Sequence, residues 1–328
     1  VAVSNCTTAL HLAWHLAGLN AGDEVICPSM SFIATANAIV QAGGIPVFAD
    51  VDPETMALDL ESVKKAMSSR TRGVLLVHQV GYPAPIESFQ QFCRERHILL
   101  VEDAACAIGT EIQGKRIGAH SDLVCFSFHP RKVITTGDGG MITTTRADLA
   151  ERLRLLRQHG MSVNDLKRHS SKTFALEEHV EIGFNYRLTD VQAAMGIVQL
   201  GKLAPILARR NEIGSYYRNV FGRLPNVRMW KAKEGDLWNH QSFLVQLQGW
   251  SVTRRNEFIQ KMLDEGITLR RGIMTAHREP AYRNWPSPRV SLSISEELSD
   301  QSVILPLYVP MSDDEVSRVA DTFLRLAR

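Results

Sequence analysis

Through its first 103 residues the chain alternates short apolar runs with stretches of helical periodicity, and this alternation narrows the fold more than any other feature. Residues 1–4, 24–27, 45–51, 73–78 and 98–103 read as strands. Between them, Ala9, Leu10, Leu12, Ala13, Leu16 and Ala17 recur at helical spacing up to Gly18, and residues 28–39, 60–67 and 86–95 continue the series as helices. Apolar runs joined by amphipathic helices imply parallel strands in a sheet covered on both faces. In such sheets functional side chains gather at the carboxyl ends of the strands.

At 328 residues, 45% hydrophobic and 22% charged, the chain is large enough for about two domains and is neither fibrous nor disordered in composition. Its formal charge of +2 is spread among interspersed acids and bases, and the clusters Arg209-Arg210 and Arg270-Arg271 read as solvated faces. No nucleic-acid partner is expected. No apolar run approaches the roughly 20 residues that span a bilayer, and the start lacks the order of a signal peptide, so a cytoplasmic setting without membrane contact is expected. The five cysteines, Cys6, Cys27, Cys93, Cys106 and Cys125, show no Cys-x-x-Cys spacing, which points to neither a disulfide framework nor a metal site. Val1-Ala-Val reads as the middle of a strand, and a missing upstream segment is expected.

Several polar residues stand where chemistry would need them. Residues 124–128 are β-branched and aromatic, the run breaks at His129-Pro130, and Lys132 follows just past the strand end, ahead of Thr135-Thr-Gly-Asp-Gly-Gly140. A lone lysine after a strand is ordinarily solvated. On a rigid, desolvated site beside Arg131, however, its pKa would fall, and a neutral amine is what a Schiff base requires. Thr7 and Thr8 follow the first strand at a helix start, where free N–H groups and hydroxyls either receive a phosphate or simply cap the helix. Phe32 falls in the first turn of the next helix, where an aromatic side chain reads by itself as a core residue. Asp103 ends a strand and is either an N-cap or a functional carboxylate. Arg187 could clamp a carboxylate or pair with Asp190.

Farther along, residues 139–144 read as a returning strand, 149–159 as a helix stopped by Gly160, and 161–178 as a polar mobile excursion. Thr189 caps a long helix expected to run past Gly201 toward Tyr217. Residues 226–231, 240–248 and 267–271 alternate like strands, and 254–265 and 313–326 like amphipathic helices, which fits an antiparallel sheet covered by helices.

Three motifs carry a resemblance: Ser127-x-His-x-x-Lys132 with its Gly-Asp-Gly-Gly, Glu102-Asp-Ala-Ala105, and Gly183-Phe-Asn-Tyr-Arg187. They resemble the DegT/DnrJ/EryC1/StrS family of pyridoxal-phosphate aminotransferases, which act on nucleotide-linked keto-sugars. The resemblance implies a fold-type I α/β architecture: a large domain over 1–204 with a mostly parallel seven-stranded sheet, and a smaller α+β domain over 205–328. It implies that Lys132 bonds the cofactor and moves the donor's α-proton, that Asp103 keeps the pyridine nitrogen protonated, and that Phe32 stacks on the ring. Ser127 belongs to the anchoring motif, and Thr7 keeps its match although Cys6 replaces the usual glycine. Cys106 stands where the family usually has His or Gln. The resemblance further implies that Asn185 reaches the phosphate of a neighbouring subunit, and hence a homodimer with shared sites. Glutamate is the implied donor, and Arg271 and His277 lie in a stretch resembling the sugar-nucleotide loop. A dehydratase-type enzyme of the same fold, or a non-catalytic regulatory or assembly homologue, are the alternatives.

Overall fold

In the computed structural model, residues 1–162, 176–286 and 288–327 are described, so most of the expected polar excursion at 161–178 lies outside them. The strands β1 (Ala2–Val3), β2 (Glu24–Pro28), β3 (Ile45–Ala49), β4 (Thr71–Val77) and β5 (Leu99–Asp103) are followed by a small hairpin, β6 (Glu111–Ile112) and β7 (Lys115–Arg116). Then come β8 (Val124–Ser127) and β9 (Gly140–Thr143). Seven of these strands make one sheet in the order β1-β9-β8-β5-β4-β2-β3. From β3 to β8 every pairing is parallel; β9 and β1 close the far edge antiparallel.

Unbroken apolar strands are what a sheet covered on both faces demands, because successive side chains enter opposite cores. Val25 and Leu75 pack with Leu10, Trp14 and Ile39 from α1 (Cys6–Leu16) and α2 (Ala34–Gln41), and with α5 (Ala147–Leu156) beyond them. Ile26 and Leu76 face the other way, against Val63 of α3 (Leu60–Ala66) and Phe89 of α4 (Ile86–Glu95). The chain moves outward from β2 to β3, then returns to β4 and proceeds through β5 to β8. Strand order therefore reverses between β2 and β4, and a crevice at their carboxyl ends is the expected ligand site.

The helix expected from residue 28 starts only at Ala34. The backbone N–H groups of Ser29 and Ser31 are used by the carbonyls of Ala49 and Met274, so residues 29–32 stay outside the helix and Phe32 precedes it. The long helix expected from Thr189 is also corrected. It divides into α6 (Asp190–Gly201) and α7 (Leu203–Phe221), bent by 59°. Pro205 lacks an N–H and its ring would clash with the carbonyl four residues back, which ends the first helix. Thr189 does cap α6, in a reciprocal box with Gln192. Among the described residues no single helix is long and apolar enough to cross a membrane; only the bent pair α6 and α7 passes by length and composition together.

The second sheet comprises β10 (Val227–Arg228), β11 (Phe243–Leu247), β12 (Arg270–Arg271) and β13 (Ser302–Leu305), antiparallel in the order β10-β11-β13-β12. Its core unites Tyr217 and Phe221 of α7 with Phe243, Phe258 of α8 (Val252–Asp264) and Phe323 of α10 (Asp313–Leu326). Between β12 and β13 lies α9 (Ser293–Gln301). The C-terminal part is not a clean lobe: Ala276, Tyr282 and Leu292 pack into the first core beside α1 and α2. Arg210, expected on a solvated face, is buried and donates to the carbonyls of Gln241 and Leu307, fastening α7 to the segments that flank β11 and β13.

Arg289 also returns to the first sheet, where it and Arg70 hold the buried Glu24 at 2.5 and 2.6 Å. The Arg289 contact, outweighing burial and joined by Ser68 and Arg70, lowers the Glu24 carboxyl to about 2. A carboxyl that titrates lower when folded contributes stability above its unfolded value of about 4.3 and loses it as the pH falls toward the folded one. Glu24→Gln should therefore destabilise the protein at neutral pH, with the gap from wild type closing as pH drops toward about 2. Urea midpoints measured across that interval check this; a gap independent of pH would remove the ion pairs as its cause.

Candidate active site

A cavity of about 1210 Å³ opens at the reversal point, lined by Ser31 and Phe32 beyond β2, His78 and Gln79 beyond β4, Arg270 of β12 and Gln241 just ahead of β11. Asp103, Cys106, Ser127 and Lys132 stand on the same wall, with Thr7 and Thr8 at the start of α1. Sequence reasoning missed His78, which directly follows β4 and whose ring nitrogens meet Glu102 Oε2 at 3.0 Å and the Ala84 N–H at 3.1 Å. A polar residue closing a buried parallel strand was the available signal.

Local hydrogen bonds fix the loop that carries Lys132. Its N–H donates to the His129 carbonyl, while the Thr135 hydroxyl and Thr136 N–H both donate to the Phe128 carbonyl. The ammonium Nζ donates to Cys106 Sγ at 3.1 Å. Burial pulls this ammonium down, but the Cys106 sulfur, then Cys6 and Asp103, more than offset it and leave it above an ordinary lysine. The expectation of a neutral amine depressed by Arg131 is thus corrected for the free protein. Arg131 is exposed and is not among the charges acting on Lys132.

Asp103 is only 5% exposed. Its Oδ2 accepts from the Thr35 hydroxyl at 2.9 Å and its Oδ1 from the Ala105 N–H at 3.1 Å, both neutral donors. Burial raises its pKa, against the pull of those two donors and of the more distant Lys132 and His78. At the start of α1, Asn5 is the cap: its Oδ1 accepts from the Thr8 N–H, and the Thr8 hydroxyl donates to the Asn5 carbonyl. Thr8 is thereby committed to the cap. Thr7 faces the cavity with its hydroxyl making no hydrogen bond among the described residues. Ser127 lies on the wall and its Oγ accepts from the His129 N–H at 3.4 Å.

The remaining expected residues divide. Phe32 is 66% exposed along the cavity instead of being core. Arg271 lines the cavity but is paired with Glu279 at 3.3 Å. His277 is not on the wall; its ring bridges Ser29 Oγ and Glu296 Oε1 at 2.5 and 2.9 Å, which leaves no nitrogen for a diphosphate. Asn185 and Arg187 are exposed and lie outside the cavity of their own chain, and Arg187 makes no ion pair with Asp190 among the described residues.

A model of the DegT/DnrJ/EryC1/StrS aminotransferase family matches residues 1–324. The chain belongs to this family. The aminotransferase is 36% identical over 327 residues to a dTDP-4-dehydro-2,3,6-trideoxy-D-glucose 4-aminotransferase of Saccharopolyspora spinosa, covering 98% of this chain and 83% of that one. It is 35% identical to a GDP-perosamine synthase of Caulobacter vibrioides over 97% of this chain and 83% of the other. Among solved structures it is similar to DesV of S. venezuelae, crystallised with a ketimine intermediate, at 31% identity and a TM-score of 0.91, covering 100% of this chain and 84% of that chain.

The donor set of this aminotransferase suits pyridoxal phosphate. A buried carboxylate with only neutral hydrogen-bond partners is short of a cation, and a protonated ring nitrogen is one. The exposed Phe32 ring offers a face for stacking, and the start of α1 with the free Thr7 hydroxyl offers donors for a phosphate. Lys132 supplies the primary amine between them.

Proposed function

We propose that this aminotransferase uses pyridoxal 5'-phosphate to move an amino group from an amino acid, glutamate by family resemblance, to a nucleotide-linked keto-sugar. The observation that carries the reading is the convergence of Lys132, Asp103, Phe32 and the start of α1 on one cavity. When bound, the cofactor supplies an electron sink that makes the α-proton of an amino acid removable. Lys132 anchors it and, once its Nζ is free and neutral, carries that proton as general base. Asp103 holds the proton of the ring nitrogen, Phe32 covers a ring face, and Thr7 with the α1 backbone binds the phosphate. The dTDP- and GDP-linked sugars named for the relatives support the acceptor class. Incubation with pyridoxal phosphate, borohydride reduction and peptide mapping should place the label on Lys132. A panel of nucleotide keto-sugars with nitrogen-labelled glutamate should then identify the acceptor; transfer to none of them would reject the reading.

The active unit in this reading is a homodimer. Every residue of α6 lies outside the core, with Val191 77% and Ile197 72% exposed, and Ile182 nearby is 88% exposed. An apolar face of this kind calls for a cover, and a second copy about a two-fold axis brings both copies of the adjacent Asn185 loop across the seam. Mixing inactive Lys132→Ala with inactive Asn185→Ala chains then yields heterodimers with one site carrying both lesions and one carrying neither. Re-associated mixtures should recover up to about a quarter of wild-type activity, since roughly half of randomly paired dimers are mixed. If Asn185 serves its own chain, none should return.

A further inference from the structure

Lys132 makes one contact that the proposed reaction does not use: its Nζ donates to Cys106 Sγ at 3.1 Å. Cys106 lies just beyond β5, and its backbone is pinned where Asn239 Nδ2 donates to its carbonyl at 2.7 Å. Lys132 lies beyond β8 and is pinned too, its N–H donating to the His129 carbonyl at 2.9 Å. Two reactive side chains are thus held against each other from neighbouring strands of one sheet, with the cavity beside them. The other cysteines differ. Cys6, Cys27, Cys93 and Cys125 are buried, and burial, the largest influence on each, pushes their thiols up and leaves them inert. Cys106 alone of the five is not buried, and it lines the cavity where a small solute can reach it.

A hydroperoxide converts a thiolate to a sulfenic acid: sulfur takes one oxygen, the O–O bond breaks, and the departing hydroxide leaves as water with a proton from solvent. A sulfenic acid condenses with a nitrogen that lies against it. Here that nitrogen is a primary amine at contact distance. Once neutral, Nζ attacks Sγ, a sulfur–nitrogen bond forms, the sulfur–oxygen bond breaks, and the hydroxide leaves as water with a proton from nitrogen. One thiol and one amine each lose a hydrogen, sulfur gives up two electrons, and one peroxide becomes two waters. We propose that Cys106 and Lys132 form this cross-link under hydrogen peroxide whenever Lys132 is not bonded to cofactor, a modification that masks the anchoring amine. The masking rests on the aminotransferase reading above; the bond itself does not. Small thiols reverse it by attacking Sγ and releasing the amine, and a second thiol then frees Cys106 from the mixed disulfide.

The test uses the full chain in two forms, freed of cofactor and loaded with pyridoxal phosphate, each treated with hydrogen peroxide that catalase then removes. The freed form should lose two hydrogens in intact mass and yield a peptide joining Cys106 to Lys132. Pyridoxal phosphate and borohydride added afterwards should then fail to label Lys132, and dithiothreitol should restore both the mass and the labelling. The loaded form should show neither change, because its Nζ is already committed. Cys106→Ser sets its own labelling baseline before treatment and should keep it after peroxide. A freed form in which Cys106 stays a thiol, ends as a sulfinic acid or pairs with Cys6 in a disulfide overturns the inference, and so does cross-linking to the same extent in the loaded form. Borohydride labelling of untreated wild type separates the two levels. Label at Lys132 without the cross-linked peptide removes only the modification, whereas absence of label there removes the aminotransferase reading itself.

Discussion

Lys132→Ala is expected to abolish turnover, by roughly 10⁴-fold or more, while leaving the fold and thermal midpoint close to wild type. General acid–base work alone contributes about 10²–10⁴ in rate, and here the same Nζ is also the anchoring amine. Stability should change little, because the side chain's sole hydrogen bond among the described residues is to Cys106, and the loop is held by backbone contacts of His129 and Phe128 that alanine preserves. Arg131, one residue away, cannot substitute, since a guanidinium stays charged at any working pH. Borohydride labelling of the variant decides the assignment. Cofactor fixed at a different lysine would show that Lys132 is not the anchor.

The part of this site readable from sequence is the part that local chain geometry builds. Lys132 and Asp103 each end a parallel strand of the large sheet or sit just past one, and a strand end points its next residues into the crevice whatever the distant chain does. The substrate end is different, because it is assembled by pairings the pattern does not reveal. β12 joins the second sheet through β13, a four-residue run of Ser302-Val-Ile-Leu305 too short for periodicity to mark. Which of Arg270 and Arg271 keeps a free charge is then decided by Glu279, which returns to meet Arg271. His277 failed as a phosphate ligand for a similar reason: Ser29 and Glu296, far apart in the chain, take both of its ring nitrogens. The start of α1 was placed correctly but its cap was not, since Asn5 and not a threonine side chain receives the first free N–H. The bend after α6 follows from Pro205, whose effect on the backbone apolar periodicity alone does not register.

Asp103→Asn should separate catalysis from stability. The substitution removes the charge that holds the ring-nitrogen proton with almost no change of shape, and α-proton removal measured in single turnover should fall by about 10²–10³-fold, the scale seen when one preorganised electrostatic partner is lost. Two donors now converge on the carboxylate, so a single amide oxygen must choose between them. The Ala105 N–H cannot rotate, whereas the Thr35 hydroxyl already has Ser31 Oγ at 2.8 Å as a second partner. The Asn oxygen should therefore face Ala105. In the cofactor-free protein the same change should stabilise, because burial raises the Asp103 pKa and so penalises its charged form. A carboxyl raised in this way loses stability as pH climbs from its unfolded value of about 3.9 through the folded one, so the variant's advantage should be present at neutral pH and vanish in acid. Denaturant midpoints of both proteins with and without pyridoxal phosphate make the comparison. If Asp103 were only a cap, asparagine would serve about as well, and the variant would be near wild type both in stability and in single turnover, against both expectations.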